Sequence, residues 1–509
     1  MTTPSSANQT SFDVVIVGGG SAGAVLANRL SADPGSTVLL IEAGHAYPLD
    51  ENPDVTLNPS VVGGDAEHDW GYTGVGTALN AAVPLPRGKV LGGSSAVNAT
   101  VALRARRKDF DRWAEHGITG WSFEEVLATY KAMENTPDGE DAFRGRTGPL
   151  PIRQRAYDEL TPSLRAFIDA TVDQGYDLIG DPNGANQNGV SPNPLTTVDG
   201  IRQSTALAYL TEDVRARANL TIIGDTMIDR VLFDGTTATG VLTVDGRSLT
   251  AGEVILSAGA FGSPAILLRS GVGPAADLRM LGIDVVADLP VGRRLQDHPF
   301  YYNAYALKPD ALAMTPATGA LLWTASSEAD GDELDLQVSA THLIDPAYSP
   351  TGGALVLAIA VVQPESTGTL TLRSTDPTEA PIIDLGFLAT DRDRRRMLEG
   401  VRLSRRIARD ALFAAVSDSE MMPGEAVQSD ADLLRVIDEQ IASYAHPTST
   451  VPMGGDGDDW AVVDSNGDVR GVEHLRVIDA SIMPRVPSAP TNLTTIMIAE
   501  HLVRRRSEA

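Results

Sequence analysis

The chain has 509 residues, 42% hydrophobic and 21% charged, which is too long for one simple core and matches a folded protein of two or more domains. Lysine and arginine number 40 against 67 acidic residues, and the net charge of −27 repels nucleic acid and anionic membranes. No cysteine is present, which excludes disulfides, thiolate metal sites and cysteine nucleophiles.

Residues 1–10 have neither a basic segment nor an apolar core and read as a disordered lead-in rather than a signal peptide. No apolar run approaches the ~20 residues of a membrane helix, so the expectation is a soluble cytoplasmic protein. Phe12-Asp13-Val14-Val15-Ile16-Val17 has the β-branched, apolar character of a buried parallel strand. A glycine turn follows, with Gly18, Gly20 and Gly23 in G-x-G-x-x-G positions and Ser21 between them. Ala24 to Leu30 reads as a helix and Val38 to Ile41 as a second buried strand ending on Glu42 and Ala43. The first two glycines allow a tight turn and close backbone approach to a pyrophosphate; the third lets the helix pack on the strand. The free N–H groups and positive dipole end of that helix face the pyrophosphate. Glu42 falls about 20 residues beyond the glycines, where a carboxylate takes ribose hydroxyls. This βαβ unit predicts adenine-dinucleotide binding.

Gly44 to Pro86 is rich in Pro, Gly, Asp and Asn, as in a lid or cofactor-covering loop. Gly88 to Asn98 is a second glycine–serine loop. Helices are predicted over 123–133 and 160–175, with a turn-rich stretch, 136–148, between them. Strands follow at 220–223, 230–233 and 240–244 as a meander, and 253–260 is a buried strand running into a turn and helix. Residues 301–385 alternate in runs such as Leu334 to Val338 and Gly368 to Leu372, predicting a separate antiparallel sheet. Helices are predicted over 392–410 and 430–443. There is no internal repeat. The expected fold class is α/β: a doubly wound, Rossmann-like dinucleotide domain with an interleaved α+β domain on an antiparallel sheet. The first would comprise residues 11–155, 200–300 and 440–509, with 44–86 as its lid, and the second 156–199 and 301–439.

Four segments together resemble the glucose–methanol–choline (GMC) family of flavin oxidoreductases. They are the N-terminal motif, Arg87-Gly88-Lys89-Val90-Leu91-Gly92-Gly93-Ser94-Ser95-Ala96-Val97-Asn98, the stretch from Gly259 to Pro274, and the run from His446-Pro447 to Glu500. The resemblance implies FAD as cofactor. It implies that Arg87, Gly92, Gly93 and Ser94 approach the pyrophosphate and ribityl chain, and that Asn98 sits beside the isoalloxazine ring. Some relatives tether FAD through a histidine just before that asparagine; Val97 stands there, so the flavin is expected to be non-covalent. Ile228 is expected near adenine, with Ala258 and Gly259 at the second glycine turn and Asp479 and Ala480 at the diphosphate. Asn492, Leu493 and Thr494 open an apolar helix whose N-terminus would face the pyrimidine edge of the flavin, where negative charge collects on reduction.

Of eight histidines, His45, His68, His116, His474 and His501 are expected in surface or capping roles. His298, in Leu295-Gln296-Asp297-His298-Pro299, is read as structural, near the domain junction. His342 is a candidate pocket-lining residue. His446 matches the family's catalytic histidine, a neutral imidazole able to take the alcohol proton. The second catalytic position departs from the family pattern of His or Asn: alignment on the final helix puts Pro490 there, while a shift of one or two residues would present Thr491 or Asn492. Proline donates no hydrogen bond.

The implied function is oxidation of an alcohol by proton abstraction and hydride transfer to flavin N5, with reoxidation by O₂ or another acceptor. A cyanohydrin-cleaving lyase on the same FAD fold is the alternative. A flavin photodecarboxylase is disfavoured, since that activity is associated with an active-site cysteine. The implied partners are a small-molecule alcohol and an electron acceptor, with no metal, nucleic acid or membrane.

Overall fold

The computed structural model describes residues 11–508; the 1–10 lead-in lies outside the described residues. In chain order the main elements are β1 (Ser11–Val17), α1 (Gly23–Leu30), β2 (Val38–Ile41), α2 (Arg107–Ala114), α3 (Phe123–Met133), α4 (Pro162–Asp173), β3 (Gly189–Pro192), β4 (Leu220–Ile223), β5 (Ile228–Asp234), β6 (Thr237–Thr243), β7 (Ser248–Leu256) and α5 (Gly259–Arg269). They continue as β8 (Pro299–Leu307), β9 (Thr318–Thr324), β10 (Leu336–Thr341), β11 (Ala354–Val361), α6 (Asp391–Ala408), β12 (Ser417–Met422), α7 (Asp430–Gln440), β13 (Ala442–Ser443), β14 (Leu475–Val477) and α8 (Thr491–Glu508).

The first sheet runs β4–β2–β1–β7–β6–β5, with β14 also paired to β7. Its centre is parallel: Val15 of β1 lies between Leu39 of β2 and Val254 of β7. Val15, Ile16 and all of β2 are buried, as a parallel sheet covered on both faces requires. The ladder continues past the strand ends through Gly18 N–H to Ile41 C=O (2.8 Å) and Ser257 N–H to Val17 C=O (2.7 Å). The carboxyl ends of β1, β2 and β7 therefore share one edge, where open α/β sheets bind their ligands. At that edge α1 and α8 lie side by side and parallel. Ser21 Oγ donates to Asn492 Oδ1 at 2.8 Å at their starts, and Arg29 pairs with Glu500 at 2.7 Å further along.

The second sheet is antiparallel, ordered β12–β8–β11–β10–β9–β3, with β13 on the edge of β8. Helices α4 and α6 cover one face. Arg396 of α6 is buried there and pairs with the buried Asp335 at 2.8 Å. The other face, bearing Phe300, Tyr302, Ser339, Thr341 and Ala358, looks into the cavity described below.

Four elements differ from expectation. Leu220–Ile223 does not open the expected meander: it pairs in parallel with β2 at the far edge of the first sheet, and the antiparallel run is β5–β6–β7. Residues 368–372 do not join the large sheet: Thr369–Thr371 pairs only with Ile382–Asp384. The helix expected to reach 443 ends at Gln440, and Ala442–Ser443 is extended because Phe300 and Pro299 offer it a strand edge. The 44–86 stretch carries a short helix, Asp54–Leu57, and a hairpin of Tyr72–Gly74 with Val83–Leu85.

Gly23 is set by contact rather than by its backbone angle. A Cβ there would lie 1.9 Å from Gly18 O, so α1 would be driven off β1. Gly23→Ala should destabilise the fold by at least the ~1–3 kcal/mol of core overpacking and leave the protein poor in bound flavin. Thermal melting and the flavin-to-protein absorbance ratio check both; an unchanged ratio would overturn this reading.

Candidate active site

A cavity of about 1000 Å³ opens between the carboxyl edge of the first sheet and the exposed face of the second. Gly18, Gly20 and Ser21 form one end of its wall with Glu42, Ala43 and Ile228. Ala258, Gly259, Asp479 and Ala480 follow, then Arg87, Gly93, Ser94, Val97 and Asn98. His446, Pro490 and Asn492 border the same space. Four expected contacts are corrected. Gly23 is buried beneath the turn, and Gly92 shapes the second loop from behind, at φ +99° with its N–H on Gly19 O at 2.7 Å. Leu493 is in the core, and Thr494 turns its hydroxyl to Tyr130 Oη at 2.9 Å. A helix sends successive residues to different faces, and only Thr491, Asn492 and Thr495 of α8 reach the cavity.

The residues at the first end suit an adenine dinucleotide. The two glycine loops meet backbone to backbone, since a Cβ on Gly93 would stand 2.7 Å from Gly20 Cα. A Cβ on Gly259 would meet no protein atom within 4 Å. The Glu42 carboxylate accepts Gly19 N–H and Gly44 N–H at 2.8 Å each, and burial pushes it up to about 7 against those bonds. Each of its oxygens keeps a lone pair for a ribose hydroxyl. Asp479 is raised by burial and holds Gly259 N–H, Ser263 Oγ and both donors of Ser481, which fixes the second turn. The N-termini of α1 and α8 meet at this wall, two positive dipole ends beside the cavity. FAD fits this donor set. Among the described residues no cluster of His, Asp or Glu could hold a metal, and no helix is long and apolar enough to cross a membrane.

The other end is built on the segment 295–298. Gln296 exchanges backbone hydrogen bonds with Thr448, while its side-chain oxygen takes Val486 N–H at 3.1 Å. Asp297 accepts Ser443 Oγ at 2.5 Å, His446 N–H at 2.9 Å and its neighbour's N–H at 2.7 Å. Burial pushes this carboxyl up to about 6 despite those bonds and the nearby Arg87. Arg87 donates to Ala445 O at 2.7 Å, gripping the base loop where Ala445 takes φ +65°. Arg87 thus serves the base loop, a role beyond its expected cofactor contact.

His298 and His446 face each other, Nδ1 to Nδ1, at 3.0 Å. His298 Nε2 lies 2.9 Å from Pro487 O, which only accepts. That fixes the tautomers: His298 carries its proton on Nε2, so its Nδ1 accepts from His446 Nδ1–H. His446 Nε2 is then left bare on the cavity side. Burial lowers His446 well below the ordinary imidazole range, with His298 and Arg87 adding to the shift, and burial takes His298 to about 3. Both rings are uncharged at neutral pH. His298, expected to be structural, thus orients the candidate base. Its partners lie 148 and 189 residues away in sequence, so local pattern gives no sign of them.

The register of the last loop is also settled by bonds. Trp113 Nε1 holds Arg485 O at 3.0 Å, His298 holds Pro487 O, and Asp109 takes both Ser488 donors at 3.0 and 2.8 Å. Gln337 Nε2 adds a bond to Ser488 O at 3.0 Å. Pro490 is thereby pinned at the cavity wall, while Asn492, also on that wall, accepts the Ser21 hydroxyl at its Oδ1. His342 borders the cavity but both its nitrogens are used, on Ala354 O and on Thr161 Oγ1, and burial lowers it to about 4. Among the histidines expected at the surface, His68 and His501 are instead buried, bonded to Asp65 and to Gly120 O.

The GMC oxidoreductase family models match residues 12–300 and 364–499. Mitochondrial choline dehydrogenase of Mus musculus is 36% identical, over 97% of this chain and 89% of its own. The oxygen-dependent choline dehydrogenase of Brucella anthropi is 34% identical, over 96% and 94%. Among solved structures, pyridoxine 4-oxidase from Mesorbium loti superposes with a TM-score of 0.90 at 34% identity, covering 98% of this chain and 99% of that one.

The paired imidazoles make stability depend on pH. Unfolded histidines take protons below about 6.5, whereas the folded rings resist down to about 3 for His298, so acid favours unfolding in that window. Asp297 opposes this between about 3.8 and 6, where only its folded form keeps the proton. Glu42, raised to about 7, also opposes it, while His342, lowered to about 4, and His501 act with the paired rings; four lowered imidazoles outweigh these two carboxyls. The melting temperature should fall from about pH 7 to about pH 5, and less steeply in His298→Gln; equal slopes would place the acid sensitivity elsewhere.

Proposed function

The chain belongs to the GMC oxidoreductase family, and on that premise we propose how its own residues oxidise an alcohol. It is an FAD-dependent oxidoreductase acting on CH–OH donors. Bound FAD supplies the acceptor for the hydrogen that leaves the carbinol carbon with its electron pair.

We assign His446 as the base. The observation that carries this is the chain of bonds from Pro487 O through His298 to His446 Nδ1, which leaves the Nε2 lone pair in the cavity. That nitrogen takes the hydroxyl proton as the alkoxide forms. His298 and Asp297 position the ring, and the Arg87 guanidinium, near enough to depress the imidazole, favours the developing negative charge. Pro490 supplies an apolar wall opposite, not a second donor. Ser94 and Asn98 are assigned to the cofactor, and Val97 has no nucleophile for a flavin bond, which supports non-covalent FAD. The two sheets support the division into FAD-binding segments 11–155, 200–300 and 440–509 and substrate-binding segments 156–199 and 301–439.

The substrate we infer is a neutral alcohol with a ring-bearing, apolar body. Phe300 stacks on Tyr444 at 4.1 Å, and Tyr302 meets Phe300 edge-on, presenting aromatic surface beside His446. Away from the glycine loops the carboxylates on the cavity wall, Asp345 and Glu379, are exposed, Asp345 being bonded to Ala347 N–H, while the positive Arg87 is half-buried close to His446. The rings would attract a cation, and it is the Arg87 guanidinium beside His446 that opposes one and favours a neutral substrate. With one polar partner for the hydroxyl, contacts to the substrate body must set the geometry of the reacting carbon. O₂ or another acceptor completes the cycle.

His446→Ala should slow anaerobic flavin reduction by about 10²–10⁴ while FAD stays bound; an unchanged rate rules the base assignment out. Asn492→Ala should instead weaken FAD retention and slow reduction by no more than about tenfold, the scale of one lost hydrogen bond. A loss as large as that of His446→Ala with FAD retained would return Asn492 to the partner position.

A further inference from the structure

We propose that Thr100 and Asn193 are specificity residues that bind hydrogen-bonding groups on the body of the substrate, away from the carbon being oxidised. The proposal rests on the alcohol-oxidising reading of the same cavity. Both residues border it, Thr100 1% and Asn193 2% exposed, and Thr100 Oγ1 and Asn193 Oδ1 have no partner in the protein. Buried polar atoms in folded proteins are almost always satisfied, and such exceptions in a ligand cavity are satisfied by what enters it.

Their backbones are fully engaged, so the free atoms are held in place. Thr100 donates its N–H to Asn98 Oδ1 at 2.9 Å and its carbonyl accepts Thr196 N–H at 2.9 Å. These bonds hold Thr100 at φ +61°, a left-handed conformation rare for a β-branched residue and found where function requires a particular aim. Asn193 follows β3 at the edge of the second sheet and donates its N–H to Gly319 O at 3.0 Å. It thereby sits next to Thr318, whose partner across the ladder is Thr341; both face the cavity. Val101 bridges Leu195 and Ala102 donates to Pro194 O, so Thr100 and Asn193 stand at opposite ends of one short ladder, on the order of 10 Å apart. Each therefore meets a different part of the substrate. A hydroxyl offers both a donor and an acceptor, and an amide oxygen accepts. The matching body is a neutral ring carrying at least one hydroxyl or N–H in addition to the carbinol; a plain hydrocarbon body would leave both atoms unpaired.

The test compares wild type, Thr100→Val and Asn193→Leu on benzyl alcohol and the three hydroxybenzyl alcohols, by kcat/KM and with FAD content measured from absorbance. Wild type should favour at least one hydroxybenzyl alcohol by about tenfold or more, and each variant should reduce that preference to about twofold or less. A preference absent in wild type or unchanged in both variants overturns the proposal. Loss of FAD from Thr100→Val with discrimination intact in Asn193→Leu assigns Thr100 to the cofactor and overturns it as well. Should none of the alcohols reduce the flavin, the alcohol reading fails separately. Equilibrium dialysis of resorcinol against FAD-loaded protein then decides: about tenfold weaker binding in both variants supports the subsite, and equal binding rejects it.

Discussion

The segment Gln296-Asp297-His298 spends nearly every polar atom on two other loops, and the chemistry depends on it. Asp297 ties down Ser443 and His446, Gln296 ties Thr448 and Val486, and His298 joins His446 to Pro487. Leaving one such buried group unpaired costs about 1–3 kcal/mol, so the network stands or falls as a unit. Burial outweighs hydrogen bonding for both ionisable members, raising Asp297 and lowering His298. The price is acid sensitivity. The return is a single tautomer at His446, with its proton on the side away from the cavity.

The cofactor end relies on a different constraint, the closeness that glycine permits. Gly20 and Gly93 touch through their backbones, a Cβ on Gly18 would stand 2.5 Å from Ser257 O, and Gly23 lies against Gly18 O, so three segments distant in sequence converge without side chains between them. The parallel pair α1 and α8 then brings a second helix N-terminus to the same wall, locked by Ser21 with Asn492 and by Arg29 with Glu500. The Ser21 bond orients Asn492 by its Oδ1 toward α1, which supports assigning it to the cofactor rather than to the base.

Local pattern was enough for the parts whose physics is local. The first βαβ unit, the antiparallel pair β5 and β6, α3 and the position of Glu42 were legible because strand, turn and helix signals adjoin one another. By contrast, β4 was misplaced into that pair's meander because its partner β2 lies far back in the chain. Residues defined by distant partners were not. His298 looked structural because its two contacts come from loops far along the chain. Ala442–Ser443 continued a helical pattern until a neighbouring strand edge claimed it. Leu493 and Thr494 share the start of α8 with Asn492, and only helical rotation decides that one faces the cavity and the others the core. Thr100 and Asn193 belong to no motif; their significance is an absence of partners, which only coordinates can show.

Charge in this molecule is unevenly placed. The chain carries −27 overall, while the cavity wall mixes Arg87, Lys89 and Arg269 with Glu42, Asp345, Glu379 and Asp479, and two helix N-termini meet there. An acidic exterior slows approach of an anionic dinucleotide and is screened beyond about 8–10 Å in physiological salt. On the proposed reading, retention must then come from short-range contacts that water and salt reach poorly, at the glycine turns, the helix ends and the Glu42 carboxylate. The Arg87 guanidinium near His446, on the same reading, favours an alkoxide there and opposes a cationic substrate. A neutral ring crosses the acidic surface without penalty, and the selection it meets inside is left to shape and to hydrogen bonds.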